Sequence, residues 1–375
     1  MRILVTSDLH LSDRIWTHKQ ILGDSYWSWK QIVDSAIDFS VDVVILAGDL
    51  LDKQSNTSEA IRQFTCGLQR LVAENIKVYY NQGQHEFQSS PWAGIVPDCV
   101  HIHKKHFAIG NTRGYGIDFQ HSQQLHECLA DIPKDCSVLV CHQVWSDFMG
   151  DIAKPQASFS DIPDHVKLLI TGDYHKSVLT HKGHLTVISP GSSHLRSLGE
   201  PVDKCFYLLE SDTPQAEPGE FEISCLLLRT RRMLDLDVEY KAELAVVEQL
   251  NTFIAESEDY ADSYFLPDEI RKPIVRIHSL TSQRDLTDSI EKTFKDRVHL
   301  FWKSKSKSEE ASAPADLVQA STADKLRMRD CLPDFVDATQ EPAVYELSSQ
   351  LVDSLSPAST LSQWVNAQIG ASDDL

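Results

Sequence analysis

The chain has 375 residues, 42% of them hydrophobic, and a formal net charge of −20. This length suits one large domain plus a smaller one. The acidic charge argues against a generic basic DNA-binding module, but not against an enzyme with local basic patches. The eight cysteines form no CxxC pair, as expected for reduced thiols inside a cell. No apolar run suits a signal peptide or a bilayer span, so we expect a soluble, cytoplasmic protein without membrane contact.

Short apolar runs that stop abruptly at polar residues recur along the chain, in RILVTSDLH, VDVVILAGDLLD, IKVYYNQGQHE, SVLVCHQ and VKLLITGDYH. Continuous apolar runs of this length are typical of strands buried on both faces. The helix-like segments SYWSWKQIVDSAIDF and SEAIRQFTCGLQRLVAEN lie between the early runs, the second with Ser58 in an N-cap position. The alternation predicts an α/β layered core, in which chemistry collects at the carboxyl ends of the strands.

Carboxylate, amide and imidazole side chains follow these strands, at Asp8, His10, Asp49, Gln84, His85, His142, Asp173 and His175. A single such residue is more typical of a turn or a satisfied polar group, but the repeated placement favours one shared site. Oxygen and imidazole ligands without thiolate suit Mn²⁺, Fe²⁺ or Zn²⁺ rather than a Cys-rich structural zinc. The set is large enough for two neighbouring cations, which activate water and neutralise phosphoryl charge.

Taken in order, DLH, GDLLD, GQHE, CHQ and GDYH resemble the motifs of the calcineurin-like metallophosphoesterases. The later stretch SPGSSHLRSLGEPVDKCFYLL is similar to the element after the last metal motif in SbcD and Mre-eleven-type DNA repair nucleases. The likeness covers roughly residues 1–210. It implies that family's fold class, an α/β two-sheet sandwich flanked by helices, with a small α+β cap domain and a C-terminal tail.

The resemblance also implies a metal-binding or catalytic role for each of these polar residues. It gives a first metal site of Asp8, His10, Asp49 and His175, and a second of Asp49, Gln84, His142 and Asp173. Mn²⁺ is the expected ion at both, with Mg²⁺ as the alternative. His85 would protonate the leaving oxygen or steady the scissile phosphate, while Glu86 braces the loop.

Two positions depart from the family pattern, both on the side of the second metal. Gln84 stands where the family has Asn, and Asp173 stands where it has His. Gln carries the same amide oxygen on a longer side chain. Asp173 replaces a neutral nitrogen by an anionic oxygen, which favours Mn²⁺ or Mg²⁺ over Zn²⁺.

The remaining chain predicts accessory parts. We expect a nuclease domain over residues 1–215, a capping unit over 216–302, a flexible linker over 303–317 and an amphipathic segment over 318–375. In the capping unit, Arg229, Arg231 and Arg232 could contact phosphates, with a charged turn on a solvated face as the alternative. The resemblance implies that the last segment docks on an SbcC or Rad-fifty-type coiled-coil ATPase; packing on its own chain is the alternative.

These features predict a metal-dependent DNA exonuclease or endonuclease subunit that acts in repair, recombination or replication by a two-metal mechanism. DNA and an SMC-like ATPase would be its partners, and a homodimer is left open. Two alternatives stay open: a phosphomonoesterase or cyclic-nucleotide phosphodiesterase using the same site, and a catalytically weakened scaffold. The cap and tail favour the nuclease, since a small-molecule phosphodiesterase needs neither. The two ligand substitutions favour the scaffold.

Overall fold

The computed structural model describes residues 1–12, 21, 23–52, 56–86, 92–149, 157–197, 200–211, 219–238, 243–280 and 284–305. Residues 306–375, which include most of the predicted linker and the whole predicted docking segment 318–375, lie outside the described residues. Among the described helices, none combines the length and the apolar character needed to cross a membrane.

The described strands are β1 (Arg2–Thr6), β2 (Val43–Ala47), β3 (Lys77–Asn81), β4 (Cys99–His101), β5 (His106–Ile109), β6 (Thr112–Ile117), β7 (Val138–His142), β8 (Leu168–Gly172), β9 (Val178–Lys182), β10 (Leu185–Ser189), β11 (Cys205–Glu210), β12 (Glu222–Leu227), β13 (Met233–Asp237), β14 (Ile274–Leu280) and β15 (His299–Lys305). The described α-helices are α1 (Asp24–Asp38), α2 (Ser58–Ala73), α3 (Ser122–Ala130), α4 (Ser146–Met149), α5 (Glu243–Ser263), α6 (Asp268–Arg271) and α7 (Arg284–Phe294). Short 3-10 helices lie at Trp92–Ile95 and Phe159–Asp161.

Two six-stranded sheets form the main body, in the orders β12-β11-β1-β2-β3-β4 and β5-β6-β7-β8-β10-β9. Strands β1 to β4 are parallel, as are β6, β7, β8 and β10. The sheets face each other across an apolar core that includes Val5, Ile45, Val140 and Ile170. Helices α1 and α2 cover the outer face of the first sheet, and α3 covers that of the second. The predicted two-sheet sandwich flanked by helices is therefore confirmed.

Helices α1 and α2 form where the sequence predicts them, with one correction at a cap. The N-cap of α2 is Thr57 rather than Ser58, because the Thr57 hydroxyl accepts the backbone N–H of Ala60 at 3.2 Å. The two helices approach closely at Gly67, where a Cβ would overlap the indole of Trp29. That contact seals the apolar layer between the helices and the first sheet.

A smaller unit follows, built from the parallel sheet β13-β14-β15 and helices α5, α6 and α7 around its own apolar core. Its predicted limits need correction. Strand β12, at residues 222–227, pairs with β11 in the first sheet, so the smaller unit begins after it and not at residue 216. Strand β15 runs to Lys305, past the predicted end at residue 302. An edge strand has the same half-apolar pattern in either sheet, so its sequence does not identify its partner.

Candidate metal centre and active site

The carboxyl ends of β1, β2, β3, β7 and β8 meet at one edge of the sandwich, because parallel strands present the same end to the same edge. This edge collects the predicted site residues Asp8, His10, Asp49, Gln84, His85, His142, Asp173 and His175. The backbone turns sharply there, with φ of 48° at Asp8, 51° at Asp49 and 77° at Asp173. These left-handed conformations are strained for residues other than glycine and are typical of functional sites.

Three glycines of the motifs allow the strand ends to approach one another. A Cβ on Gly48 would lie 2.6 Å from His142 Cγ, and a Cβ on Gly172 would lie 2.5 Å from His142 Nδ1. A Cβ on Gly83 would lie 2.6 Å from the Asp49 backbone nitrogen. Any larger residue would therefore displace Asp49 or His142.

Buried oxygen and nitrogen atoms that could ligate a metal ion, and that have no hydrogen-bond partner, lie at the centre of the site. They include Asp49 Oδ2, His142 Nε2 and Gln84 Oε1. Asp49 Oδ2 lies 3.4 Å from His142 Nε2 and 3.6 Å from His10 Nε2. Because an unsatisfied buried polar atom is costly, such a convergence of lone pairs fits a bound cation.

The metal-ligating side chains form groups of three, which is enough to hold a metal ion. Asp8, His10 and His175 form one group, and Asp8, Asp49 and His142 form another. Asp8 Oδ1 lies 3.8 Å from His10 Nε2 and 3.7 Å from His175 Nε2. Oxygen and imidazole donors of this kind suit Mn²⁺, Fe²⁺ or Zn²⁺. The residues present therefore fit the binding of divalent metal ions.

Hydrogen bonds outside the centre orient two of the imidazoles. His142 Nδ1 lies 2.8 Å from the carbonyl oxygen of Ala47, which can only accept, so Nδ1 carries a proton and Nε2 is the ring nitrogen that faces the carboxylates. His175 Nδ1 lies 3.1 Å from Glu200 Oε1, which orients that ring in the same way. Such partners fix the tautomer of a metal-ligating histidine.

Electrostatics favour positive charge at the centre. Burial alone would lower the pKa of His142, but Asp49 and Asp8 beside it hold that pKa well above its ordinary value. Burial alone would raise the pKa of Asp49, but His142 and His85 hold it below its ordinary value. Burial lowers the pKa of His10 and so favours its neutral, ligating form. The buried carboxylates thus attract a cation as well as a proton.

The two residues that depart from the family pattern contact each other. Gln84 Nε2 donates to Asp173 Oδ1 at 2.6 Å, and the Asp173 backbone N–H donates to Asp8 Oδ1 at 3.1 Å. Asp173 Oδ1 lies 4.0 Å from His142 Nε2. The substitutions are therefore one hydrogen-bonded pair at the border of the Asp8–Asp49–His142 group.

His85 and Glu86 have separate tasks in the loop after β3. The His85 backbone N–H donates to Asp49 Oδ1 at 2.9 Å, and its Nδ1 contacts the carbonyl oxygen of Asp52. Glu86 accepts the backbone N–H groups of Leu51 and Gly83. Burial, with Asp49 nearby, raises the pKa of Glu86 to about 8. Glu86 thus braces the loop, as expected, and His85 faces the site.

Sequence reasoning missed several residues that complete the site, namely Asp52, Arg196, Glu200 and Lys204. Asp52 is the second aspartate of GDLLD, and the others lie in the SPGSSHLRSLGEPVDK stretch. Burial alone would raise the pKa of Glu200, but His175 and Lys204 lower it to about 2. Lys204 Nζ donates to Glu200 Oε2 at 2.8 Å. These four residues lie in sequence motifs that the sequence analysis identified. Their roles could not be predicted, because they depend on contacts between distant segments.

The predicted DNA contact at Arg231 is not supported by its surroundings. Arg231 is 2% exposed, and its guanidinium donates to both carboxylate oxygens of Asp24 and to two backbone carbonyls. Arg231 therefore ties α1 to the smaller unit. Arg229 lies 4.1 Å from the centroid of the Tyr264 ring, and Arg232 lies over rings of α5. Those two remain partly exposed.

The family model for calcineurin-like phosphoesterases matches residues 1–177, the part of the chain that supplies every predicted metal ligand. The chain thus carries a calcineurin-like metallophosphoesterase domain. A relative in Methanosarcina acetivorans, named DNA double-strand break repair protein Mre11, is 26% identical over 271 residues, which cover 68% of this chain and 43% of that protein. The chain therefore spans less than half of that relative's length.

Two further relatives show the same likeness. A Thermoplasma acidophilum protein, also named DNA double-strand break repair protein Mre11, is 23% identical over 317 residues, which cover 76% of this chain and 79% of that protein. The uncharacterized metallophosphoesterase YhaO of Bacillus subtilis is 26% identical over 219 residues, which cover 53% of this chain and 52% of that protein. The likeness to the first of these relatives extends beyond the matched domain.

Proposed function

We propose that the protein is a metal-dependent deoxyribonuclease that hydrolyses phosphodiester bonds in DNA repair, recombination or replication. The observation that carries the proposal is a set of buried metal-ligating atoms without hydrogen-bond partners, Asp49 Oδ2, Gln84 Oε1 and His142 Nε2, which lie at or just after the ends of β2, β3 and β7. The names of the archaeal relatives support DNA as the substrate class.

We assign the first cation to Asp8, His10, Asp49 and His175, and the second to Asp49, Gln84, His142 and Asp173. Asp49 is the proposed shared ligand, because its Oδ2 lies 3.6 Å from His10 Nε2 and 3.4 Å from His142 Nε2 and has no hydrogen-bond partner. Mn²⁺ is the proposed ion, with Mg²⁺ as the alternative. Such a pair, when bound, lowers the pKa of a coordinated water and neutralises charge on a phosphoryl group.

His85 is the proposed general acid. A carbonyl oxygen can only accept a hydrogen bond, so the contact with Asp52 places a proton on His85 Nδ1. The acid form is the imidazolium, which carries a proton on both ring nitrogens, and its Nε2 would give a proton to the leaving oxygen and so return the ring to the neutral form. The His85 side chain is 29% exposed, so a substrate can reach it. Asp49 holds the His85 backbone N–H and thereby fixes the acid relative to the metal ligands.

One observation favours a second candidate, the catalytically weakened scaffold. The bond from Gln84 Nε2 occupies an oxygen of Asp173, so one proposed ligand of the second cation already has a partner. The same bond leaves Gln84 Oε1 buried without a partner, which supports the nuclease. Metal stoichiometry separates the two, since the nuclease requires two ions per chain and the scaffold requires none.

We further propose a coiled-coil ATPase of the SbcC or Rad-fifty type as the protein partner, docked on residues 318–375. Those residues lie outside the described part of the chain, so the support is their amphipathic pattern. Deleting residues 318–375 should abolish association with the ATPase while leaving cleavage of short single-stranded DNA intact. Association that survives the deletion, measured by pull-down with the cognate ATPase, would place the docking site elsewhere.

The central test compares substrates on protein loaded with Mn²⁺. Cleavage of single- and double-stranded DNA is expected, with much slower turnover of a phosphomonoester and of a cyclic nucleotide. Asp49→Asn should abolish cleavage, whereas the matched surface change Asp34→Asn, on α1, should leave it unchanged. Preference for the small substrates would instead support the phosphomonoesterase or cyclic-nucleotide phosphodiesterase.

A further inference from the structure

Arg196 brings a permanent positive charge to the mouth of the metal centre. One terminal nitrogen of its guanidinium lies 3.0 Å from His10 Nε2, and the other donates to Asp52 Oδ1 at 2.7 Å. The side chain is 26% exposed, so a ligand can reach it from solvent. The Arg196 backbone N–H donates to Glu200 Oε2 at 3.2 Å, which anchors the main chain beside the site.

The contact with His10 uses an atom that the metal centre needs. His10 Nε2 lies 3.6 Å from Asp49 Oδ2 and 3.8 Å from Asp8 Oδ1, among the donors that fit a cation. A neutral imidazole nitrogen has a single lone pair. A hydrogen bond from the guanidinium and coordination to a cation therefore exclude each other at His10 Nε2, and the two positive charges also repel.

Asp52 gives the Arg196 guanidinium a second contact beside the site that does not depend on His10. The Asp52 carboxylate holds one terminal nitrogen, so the rest of the planar group can turn toward the open side of the site. His85 and His175, which are 29% and 26% exposed, lie on that side. A guanidinium presents paired N–H groups that match two oxygens of one phosphate.

We propose that Arg196 is a substrate-binding residue that leaves His10 when a divalent cation binds there and then holds the non-bridging oxygens of the scissile phosphodiester. Cation and substrate binding are thereby coupled through one side chain. The inference rests on the proposed function for its substrate class. It also explains how a chain with a net charge of −20 attracts a phosphodiester at this point.

The test uses Arg196→Met, which keeps length without charge, and Arg196→Lys, which keeps charge without the planar fork. Arg113→Met, at an exposed ion pair with Asp135, is the matched control. Thermal unfolding confirms that each variant is folded. Mn²⁺ affinity is measured by calorimetry, inorganic phosphate affinity on Mn²⁺-loaded protein in the same way, and KM and kcat by cleavage of single-stranded DNA.

We expect Arg196→Met to bind Mn²⁺ about 3–10-fold more tightly, because a competing charge is gone. We expect it to bind phosphate about 10–100-fold more weakly and to show a raised KM. Arg196→Lys should keep near-normal Mn²⁺ affinity and lose most of the phosphate affinity, while Arg113→Met should match the wild type in every measurement. A residue that only ties two loops together would weaken Mn²⁺ and phosphate binding alike.

Unchanged or weaker Mn²⁺ binding by a folded Arg196→Met variant would overturn the proposal, as would unchanged phosphate binding. The proposed function fails separately, if the wild type binds Mn²⁺ and phosphate but cleaves no DNA. In that case the opposite changes in Mn²⁺ and phosphate affinity would still assign Arg196 as the phosphate-binding residue of another phosphoester substrate.

Discussion

At the scale of single residues, the hydrogen bond of 2.6 Å between Gln84 and Asp173 joins the two proposed ligands that depart from the family pattern. Replacing Gln84 by Asn alone shortens the arm that reaches Asp173. Replacing Asp173 by His alone removes the carboxylate that orients the amide. Because each residue positions the other, their effects on metal binding should not add.

We therefore expect Gln84→Asn and Asp173→His each to lower the Mn²⁺ content of the second site. The double variant should recover two ions per chain and shift preference toward Zn²⁺, since imidazole is the softer ligand. The coupling between the changes should reach about 0.5–3 kcal/mol in Mn²⁺ binding free energy. Metal analysis after loading with excess Mn²⁺, with anomalous scattering to place the ions, measures this. Strictly additive effects would show that the pair is not a unit.

His85 should matter for turnover and not for metal content. Its backbone contacts Asp49, and that contact survives the loss of the ring. His85→Ala is therefore expected to keep both cations while cleavage slows by about 10²–10⁴-fold, the usual contribution of a positioned acid. The exposed His126 on α3 offers a control, and His126→Ala should cleave normally. Cleavage by His85→Ala at the wild-type rate would remove His85 from the mechanism.

At the scale of secondary-structure elements, the site depends on how closely the strand ends approach. Gly172 ends β8 against the His142 ring at the end of β7. Gly172→Ala should displace His142 or Ala47, cost about 1–3 kcal/mol in unfolding free energy, and remove the second cation. Gly183 is the matched control. It lies in the turn after β9, and no neighbour lies within 4 Å of a Cβ built there. Gly183→Ala should therefore lower the unfolding free energy only through the strain of its left-handed backbone. Unfolding and metal content of both variants check this.

The sequence predicted these strand ends well, for a physical reason. A strand buried on both faces requires a continuous apolar run, so the sequence predicts β2, β7 and β8 and the residue at which each of them ends. The partners of Arg196, Glu200 and Asp52 could not be predicted, because loops from distant parts of the chain meet only in the folded protein. Strand β12 was misassigned since its pattern does not reveal which sheet it joins.

At the scale of the whole molecule, a buried ion pair joins the main body to the smaller unit. Arg231 binds the carboxylate of Asp24 at the start of α1, with both contacts at 2.9 Å. It also donates to the backbone carbonyls of Glu269 and Lys272. The Arg231 side chain is 1% exposed and that of Asp24 is 7% exposed. The smaller unit is thus fixed to α1 through a charge that solvent does not reach.

Arg231→Met should destabilise the protein by about 3–5 kcal/mol, because it leaves the Asp24 carboxylate buried without its partner. Burial already raises the pKa of Asp24 against the opposing effect of Arg231, and the substitution should raise that pKa further. The folded state then binds more protons than the unfolded state, so the stability of the variant should fall as pH rises above the ordinary Asp pKa. Urea unfolding at about pH 5 and about pH 8 measures the difference.

Two controls separate this effect from a general loss of packing. The double variant Asp24→Asn/Arg231→Met removes the buried charge, so it should be more stable than Arg231→Met near neutral pH and should lose the added pH dependence. Arg62→Met, at an exposed pair with Glu59 on α2, should unfold like the wild type. If Arg231→Met is equally destabilised at both pH values, Arg231 stabilises the protein mainly through the backbone carbonyls of Glu269 and Lys272 and not through Asp24.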